Sequence, residues 1–375
     1  RKVCTFTALL CRRRRSRRLL DSLELGSLDR GGGVLCRVGS SQLKLRLFQS
    51  DVGALLGGRD GGALESGLQS CEDGELERGE ARRPLVSGLL LRVLKLVMLG
   101  MLVSAFPLVT FAEGRELFAP LMETRFPGVL QRIGVCYGVA ALLFVFASVR
   151  TQRMVLVACL LVYWPLITLV EVPGFGPPDI GTAMGTLQGY VDRAVFGSHI
   201  WVKGQYDPEG LLSTMPALAT CLFGVEAGRL LQRTPAPMAR VKKLACVGGS
   251  LLVLGAGWSM LLPLNKYLWT SSYAVWTAGV ATSCLAGCVW AFEERGWSRF
   301  AYPLQVYGIN ALLVFVGSAI VGRIIGSLVR LEVGGSEVSL KGWFFDAALL
   351  SIADPKVASL LFAVIWIAAW FLVLR

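Results

Sequence analysis

Histidine and paired cysteines are scarce in this sequence, and their scarcity excludes several kinds of site. The 375 residues contain a single histidine, His199, and ten cysteines. None of these cysteines forms a CxxC pair or shows another metal-ligand spacing. The sequence therefore predicts neither a zinc site nor a disulfide framework, and we expect no metal cofactor.

Charged residues are also few. They make up 17% of the chain, whereas 54% of the residues are hydrophobic and the mean hydropathy is +0.58. This composition is unusual for a soluble protein. The net charge is +12, but no basic patch is interleaved with aromatic residues on a soluble domain. We therefore expect a membrane protein and no nucleic-acid partner.

Apolar runs long enough to cross a bilayer recur along the chain. A hydrocarbon core of about 30 Å requires about 20 apolar residues per helix. The sequence thus predicts an all-α, polytopic membrane protein with about eight transmembrane helices. The predicted spans are Leu91–Phe111, Gly128–Ser148, Met154–Val170, Gly210–Leu231, Leu244–Leu264, Leu268–Phe292, Pro303–Val329 and Val357–Leu374.

The distribution of lysine and arginine between the connecting loops predicts the orientation. Loops 149–153, 229–243 and 293–299 hold nine basic residues in 27 positions. The loops on the other side hold eight basic residues in 85 positions, together with twelve acids. Because basic loops stay in the cytoplasm, both ends of the helical core are expected there, in a cell (inner) membrane.

Residues 1–84 differ from the remainder. They contain no Trp or Tyr, and a run of arginines is followed by Gly- and Ser-rich sequence without a helical or strand period. Two explanations remain open, a disordered cytoplasmic tail and a mistranslated reading frame. The transmembrane domain is predicted to cover residues 85–375.

Three polar motifs lie at the outer ends of predicted spans. Asp207 and Glu209 precede the fourth span, where the exposed N–H groups of a helix start favour a carboxylate. Gln131 and Arg132 lie about one turn into the second span, and Arg132 could either snorkel to the surface or line a polar cavity. These residues are candidates for binding a substrate. A capped helix start explains the two acids equally well, whereas the neutral Gln131 beside Arg132 fits a polar cavity better than a snorkelling arginine.

A third motif, "LNKYLWTSSYAVW", makes a tight outer turn before the sixth span. It adds Asn265, Lys266 and Trp269 to the substrate-binding candidates, although its aromatic residues also suit a membrane-interface belt. Asn310 is a polar residue inside the seventh span and is interpreted as an interhelical hydrogen-bonding group. His199 lies in the long outer loop, where a solitary histidine is commonly a surface residue.

Four of these segments resemble a known family. The segments are "RFPGVLQRIGVCY", "YDPEGLLSTMPALAT" followed by "GVEAG", "LNKYLWTSSY" and "YPLQVYGINALL". Their order and spacing between Leu91 and Asn310 are similar to those of the heparan-α-glucosaminide N-acetyltransferase family and its bacterial relatives. The resemblance implies a membrane acyltransferase that takes an acetyl group from acetyl-CoA on the cytoplasmic side. It implies delivery to an amino sugar or glycan on the other face, with Asp207 and Glu209 in the sugar-binding vestibule.

The chain departs from the family pattern before Leu91. Family members carry earlier membrane helices, an "LDxxRG" opening and a catalytic histidine, whereas "SLDRGGG" at 27–33 is followed by no apolar run. We therefore expect the family's first helices to be missing and the printed chain not to be a competent enzyme. No catalytic base is carried over, and His199 is only a weak candidate for that role.

Two other functions are alternatives, and only one of them explains the polar residues. A secondary transporter of a small sugar or anion would also have many spans and intramembrane polar residues. A structural subunit would leave the outer polar cluster without a purpose. The sequence is compatible with both a monomer and a homo-oligomer.

Overall fold

The computed structural model describes residues 79–110 and 116–375, and almost all of its regular structure is helical. The α-helices are α1 (Gly79–Ala105), α2 (Ala119–Met122), α3 (Val129–Phe146), α4 (Val149–Thr168), α5 (Leu187–Phe196), α6 (Thr214–Gln232), α7 (Pro237–Ser259), α8 (Ser271–Val289), α9 (Ser298–Ile309), α10 (Ala311–Arg323), α11 (Leu340–Phe344) and α12 (Pro355–Leu374). The two strands, β1 (Arg330–Val333) and β2 (Ser336–Ser339), form an antiparallel hairpin. The predicted all-α membrane architecture is confirmed.

Within the described ranges, seven helices are long and apolar enough to cross a membrane. They correspond to all the predicted spans except the fourth. The fourth span is α6, a helix of 19 residues whose inner half carries Glu226 and Arg229. These charges lower its hydropathy, although α6 packs between other long helices.

Several predicted boundaries differ from the structure; the fifth span, for example, is α7 and begins at Pro237 rather than Leu244. The first helix begins at Gly79, inside the segment predicted to be irregular, because Glu80, Ala81 and Arg82 are good helix formers. It ends at Ala105 rather than Phe111, since Pro107 follows and disfavours helix in the residue before it. The rest of the N-terminal segment, residues 1–78, lies outside the described residues.

The seventh predicted span is interrupted. Helices α9 and α10 meet at Asn310, which has φ −102° and ψ 17° and so leaves the helical conformation. Its side-chain amide donates to the carbonyl of Val306, 2.9 Å away on its own helix. The interhelical hydrogen bond predicted for Asn310 is therefore replaced by a local one that ends α9.

Four helices form the central core. Small and branched side chains of α3, α4, α6 and α8 pack together, among them Ala140, Leu160, Ala219 and Ala274. Helix α7 lies against α8, and α1 against α3. In contrast, α10 has no buried residue and α12 has only Ala358, so their apolar surfaces suit contact with lipid.

The core fixes which helix ends lie together. Helices α3, α6 and α8 all begin at one end, which we call the outer end after the predicted topology. The long connection from α4 to α6, which contains α5, also lies there. The opposite end, where α4 and α7 begin, is called the inner end.

Candidate functional site

Two buried carboxylates organise the turn before α6. The side chain of Asp192 on α5 accepts hydrogen bonds from the backbone N–H groups of Asp207 and Leu211, at 3.1 and 3.0 Å. Asp207 in turn accepts from the N–H groups of Trp201 and Glu209, at 2.7 and 2.9 Å. Both carboxylates are fully buried, so they hold the backbone of this turn rather than face outward.

The surroundings of these two carboxylates shift their pKa values. Burial raises the pKa of the Asp192 carboxyl to about 6, although its two backbone hydrogen bonds act in the opposite direction. Burial also raises the pKa of Asp207, and the guanidinium of Arg125 lowers it. In the folded chain, Asp192 therefore takes up a proton at mildly acidic pH.

Glu209 occupies a different position from Asp207. Its carboxylate forms an ion pair with Arg125 at 3.2 Å, and both side chains are 18% exposed. Arg125 also lies 3.6 Å from Asp207 and stacks over the Trp201 ring at 4.7 Å. Glu209 is therefore the acid of the "YDPEG" motif that is within reach of a ligand.

Arg132 lies deeper, one turn into α3, and is buried. Its Nη2 atom donates to the carbonyls of Pro208 and Gly210, at 2.6 and 3.4 Å, and to the Ser213 hydroxyl. Among the described residues, its Nε and Nη1 atoms have no hydrogen-bond partner. A buried donor without a partner costs about 1–3 kcal/mol, which makes these two atoms candidates for binding an acceptor.

Trp269 covers Arg132 from the turn before α8. The guanidinium carbon lies 5.3 Å from the centre of the indole ring, and the indole N–H donates to the Thr220 hydroxyl at 3.3 Å. Trp269 has φ +49°, a left-handed conformation that is unfavourable for a bulky residue. Strain of this kind persists where the surroundings fix it, and is concentrated at functional sites.

The turn that carries Trp269 is fixed from both sides. The Asn265 side chain accepts from the N–H groups of Tyr267 and Leu268, at 2.8 and 3.2 Å. The Tyr163 hydroxyl lies 2.5 Å from the Leu268 carbonyl and 2.8 Å from the Gln188 side-chain oxygen. The amide of Gln188 donates to the Asp207 carbonyl at 3.0 Å, which ties this turn to the one before α6.

The structure brings some predicted site residues together and separates others. Arg132, Asp207, Glu209 and Trp269 meet at the outer ends of α3, α6 and α8, and Arg132 reaches the backbone on both sides of Glu209. The outer ends of α3, α6 and α8, which are the second, fourth and sixth predicted spans, therefore lie close together. The carboxylates themselves pair with Arg125 rather than Arg132.

The remaining predicted residues lie elsewhere. Gln131 points to the α1 interface, where its amide contacts Met101 and lies against Gly100 and Gly128. The Asn265 side chain is used by its own turn, and Lys266 is exposed. The His199 ring stacks on Phe126 at 4.3 Å, with Nδ1 2.9 Å from the Thr124 carbonyl.

Sequence reasoning missed several residues of the site. Arg125 begins the "RFPG" segment, and no sequence pattern marks it as the partner of the two acids. Asp192 and Gln188 lie in the long connection between α4 and α6. No sequence pattern there predicts that their side chains bind the turn before α6. Tyr163 lies in an apolar span, so its sequence position indicates only a core aromatic residue and not the contacts of its hydroxyl with Gln188 and Leu268.

Comparison with known proteins relates the chain to one family. It is 26% identical to the heparan-alpha-glucosaminide N-acetyltransferase of Mus musculus over 297 residues, which cover 64% of this chain and 43% of that protein. It is 30% identical to the protein of the same name from Homo sapiens over 248 residues, which cover 52% of this chain and 37% of that protein. No protein-family model matches the chain.

These matches confirm the relationship inferred from the motifs. The chain is related to heparan-alpha-glucosaminide N-acetyltransferases, and the matched regions span less than half the length of either relative. The relatives' names point to a transferase.

Proposed function

We propose that this chain belongs to a multi-pass membrane acyltransferase that moves an acetyl group from acetyl-CoA to the amino group of a sugar, and that its outer-end residues bind the substrates. The observation that carries the proposal is Arg132, a buried cation with two unpartnered donors beneath a strained tryptophan. The names of the relatives supply the reaction class. The acceptor is proposed to enter from the outer end and acetyl-CoA from the inner end.

The reaction requires an amine nitrogen to attack the thioester carbonyl. A bond forms between that nitrogen and the carbonyl carbon, the carbon–sulfur bond breaks, and coenzyme A leaves as the thiol with the proton lost by the amine. Negative charge develops on the carbonyl oxygen during this attack. Donors already aimed at that oxygen stabilise the charge without reorganising.

The residues at the outer end suit these needs. The free Nε–H and Nη1–H groups of Arg132 would donate to the acetyl carbonyl oxygen. Glu209 would hold the ammonium or hydroxyl groups of the sugar by charge-assisted hydrogen bonds, exchanging its partner Arg125 for the ligand. Trp269 would provide an apolar surface for the sugar ring.

Binding of both substrates tests this proposal directly. Purified chain in detergent is titrated with acetyl-CoA and with glucosamine, and binding is followed by calorimetry. We expect both ligands to bind at once and Arg132→Gln to weaken acetyl-CoA binding by about tenfold or more, since hydrogen bonds to a charged group contribute about 1.5–3 kcal/mol. Unchanged binding in this variant would remove Arg132 from the proposed role.

The break at Asn310 favours a second candidate function. Interrupted helices carry the substrate sites of many secondary transporters, so the chain could instead move a small sugar. Proteoliposomes containing the chain distinguish the two functions. Uptake of labelled glucosamine in the absence of acetyl-CoA would favour transport, whereas we expect none.

A further inference from the structure

A cavity lies at the inner end, between α4, α6, α7 and α8, far along the helices from Arg132. Its volume is about 260 Å³. Arg153, Arg229 and Arg233 line it together with Glu226. Phe223, Leu244, Val247 and Leu251 are among the apolar residues that line the remainder. The cavity thus combines basic and apolar lining residues.

The positive charge of this cavity exceeds what its own acid neutralises. Glu226 forms ion pairs with Arg153, at 2.8 Å, and with Arg229. Arg229 is further held by the side-chain oxygen of Gln152. Arg233 is exposed and makes no ion pair or side-chain hydrogen bond within the described part of the chain. Three cations therefore share one carboxylate, and an anion is the complementary ligand.

The apolar lining of the cavity continues along α7 onto the surface that faces lipid. Val247, Leu251 and Leu254 recur at positions i, i+4 and i+7 of α7, on one face of that helix. Val247 is 42% exposed and Leu254 is 62% exposed. At 1.5 Å per residue the stripe is about 10 Å long. A ligand bound here would thus meet arginines at one end and an open apolar stripe beyond them.

We propose that this cavity binds an anionic phospholipid of the surrounding leaflet. The phosphate would accept hydrogen bonds from Arg153 and Arg233, and an acyl chain would lie along Val247, Leu251 and Leu254. Basic pockets between transmembrane helices bind anionic headgroups in this way. The phosphates of a soluble ligand such as coenzyme A would also suit the arginines, but would leave the lipid-facing stripe unused. This proposal is independent of the acetyltransferase function.

Native mass spectrometry of the purified chain in detergent tests the proposal, with phosphatidylglycerol and phosphatidylcholine as the two probes. We expect one phosphatidylglycerol to be retained and phosphatidylcholine to be lost. Arg153→Ala and Arg233→Ala should each weaken retention about five-fold, the equivalent of about 1 kcal/mol per arginine. Lys242→Ala is the matched control, because Lys242 is an exposed basic residue of α7 that does not line the cavity.

Two further measurements separate loss of lipid binding from loss of fold and test the acyl-chain contact on its own. Val247→Gln leaves every arginine in place and should still weaken retention, because a polar group then interrupts the acyl-chain contact. Unfolding temperatures of all variants are compared with wild type, so that a loss of fold is recognised. Equal retention of both lipids, no retention of either, or displacement of phosphatidylglycerol by added coenzyme A would overturn the proposal.

Discussion

At the scale of single residues, Arg132 is the side chain on which most of the outer end depends. One nitrogen satisfies two backbone carbonyls and the Ser213 hydroxyl, and the planar group lies beneath Trp269. A lysine would keep the charge but not the planar fork, and it could not serve this many acceptors while presenting donors to a ligand.

We therefore expect Arg132→Lys to destabilise the fold as well as to weaken binding. Losing a charged hydrogen bond to buried carbonyls should lower the free energy of unfolding by about 1.5–3 kcal/mol. Thermal unfolding in detergent measures this, and Arg150→Lys is the matched control because Arg150 is exposed. Equal unfolding temperatures for Arg132→Lys and wild type would show that these hydrogen bonds contribute little.

Asp192 predicts a dependence of stability on pH. Its pKa is about 6 in the folded chain, against about 3.9 for an unfolded aspartate. The folded state therefore binds the proton more tightly, and stability falls as pH rises from about 4 to about 6. Over this pH window, deprotonation of Asp192 alone should lower the free energy of unfolding by about 3 kcal/mol.

Unfolding temperatures between pH 4 and pH 7 check this expectation. Wild type should gain stability on acidification through this window relative to Asp192→Asn, which cannot take up the proton. Other carboxylates contribute to both profiles, so the difference between the two proteins is the relevant quantity. Parallel profiles would contradict the assignment of a raised pKa to Asp192.

At the scale of helices and turns, apolar length predicted which segments become helices, but it could not predict where side chains point within them. Gln131 and Arg132 are adjacent in sequence, and successive residues of a helix point about 100° apart, so only one of them reaches the site. Asp207 and Asn265 looked like ligand-binding groups, yet both satisfy nearby backbone N–H groups, a local use that short polar side chains commonly make. Sequence alone gives no signal that separates these two uses.

The α7–α8 pair yields a prediction about close packing. A Cβ atom at Gly255 of α7 would lie 2.7 Å from the backbone nitrogen of Trp276 on α8. Gly255→Ala should therefore force the helices apart and cost about 1–3 kcal/mol. Gly249→Ala on the same helix is the control, since nothing lies within 4 Å of a Cβ there and alanine favours helix by up to about 1 kcal/mol.

Thermal unfolding of these two alanine variants in detergent gives the comparison. The Gly255 variant should unfold at a lower temperature than wild type, and the Gly249 variant at the same or a higher one. If both variants matched wild type, the two helices would not be packed as closely as the structure places them.

At the scale of the whole molecule, the orientation of the helices decides which site meets which compartment. The density of basic residues predicts that Ser198 is outside and Ser298 is inside, and both residues are exposed. Each is replaced by cysteine in a chain from which the native cysteines have been removed. An impermeant maleimide should label Ser198→Cys in intact cells and Ser298→Cys only after permeabilisation. The reverse pattern would invert the topology and place the proposed acceptor site in the cytoplasm.

The claim that the outer end binds an amino sugar depends most on Glu209, because Asp207 is buried and already satisfied. The most direct test is the affinity for glucosamine of wild type, Glu209→Gln and the control Glu171→Gln, which alters an exposed acid of the same outer connection. We predict that Glu209→Gln weakens glucosamine binding by about tenfold or more, since one charge-assisted hydrogen bond contributes about 1.5–3 kcal/mol. Glu171→Gln should bind like wild type, and N-acetylglucosamine, which lacks the ammonium, should bind all three proteins equally weakly. Glucosamine binding that is unchanged in Glu209→Gln would contradict the account.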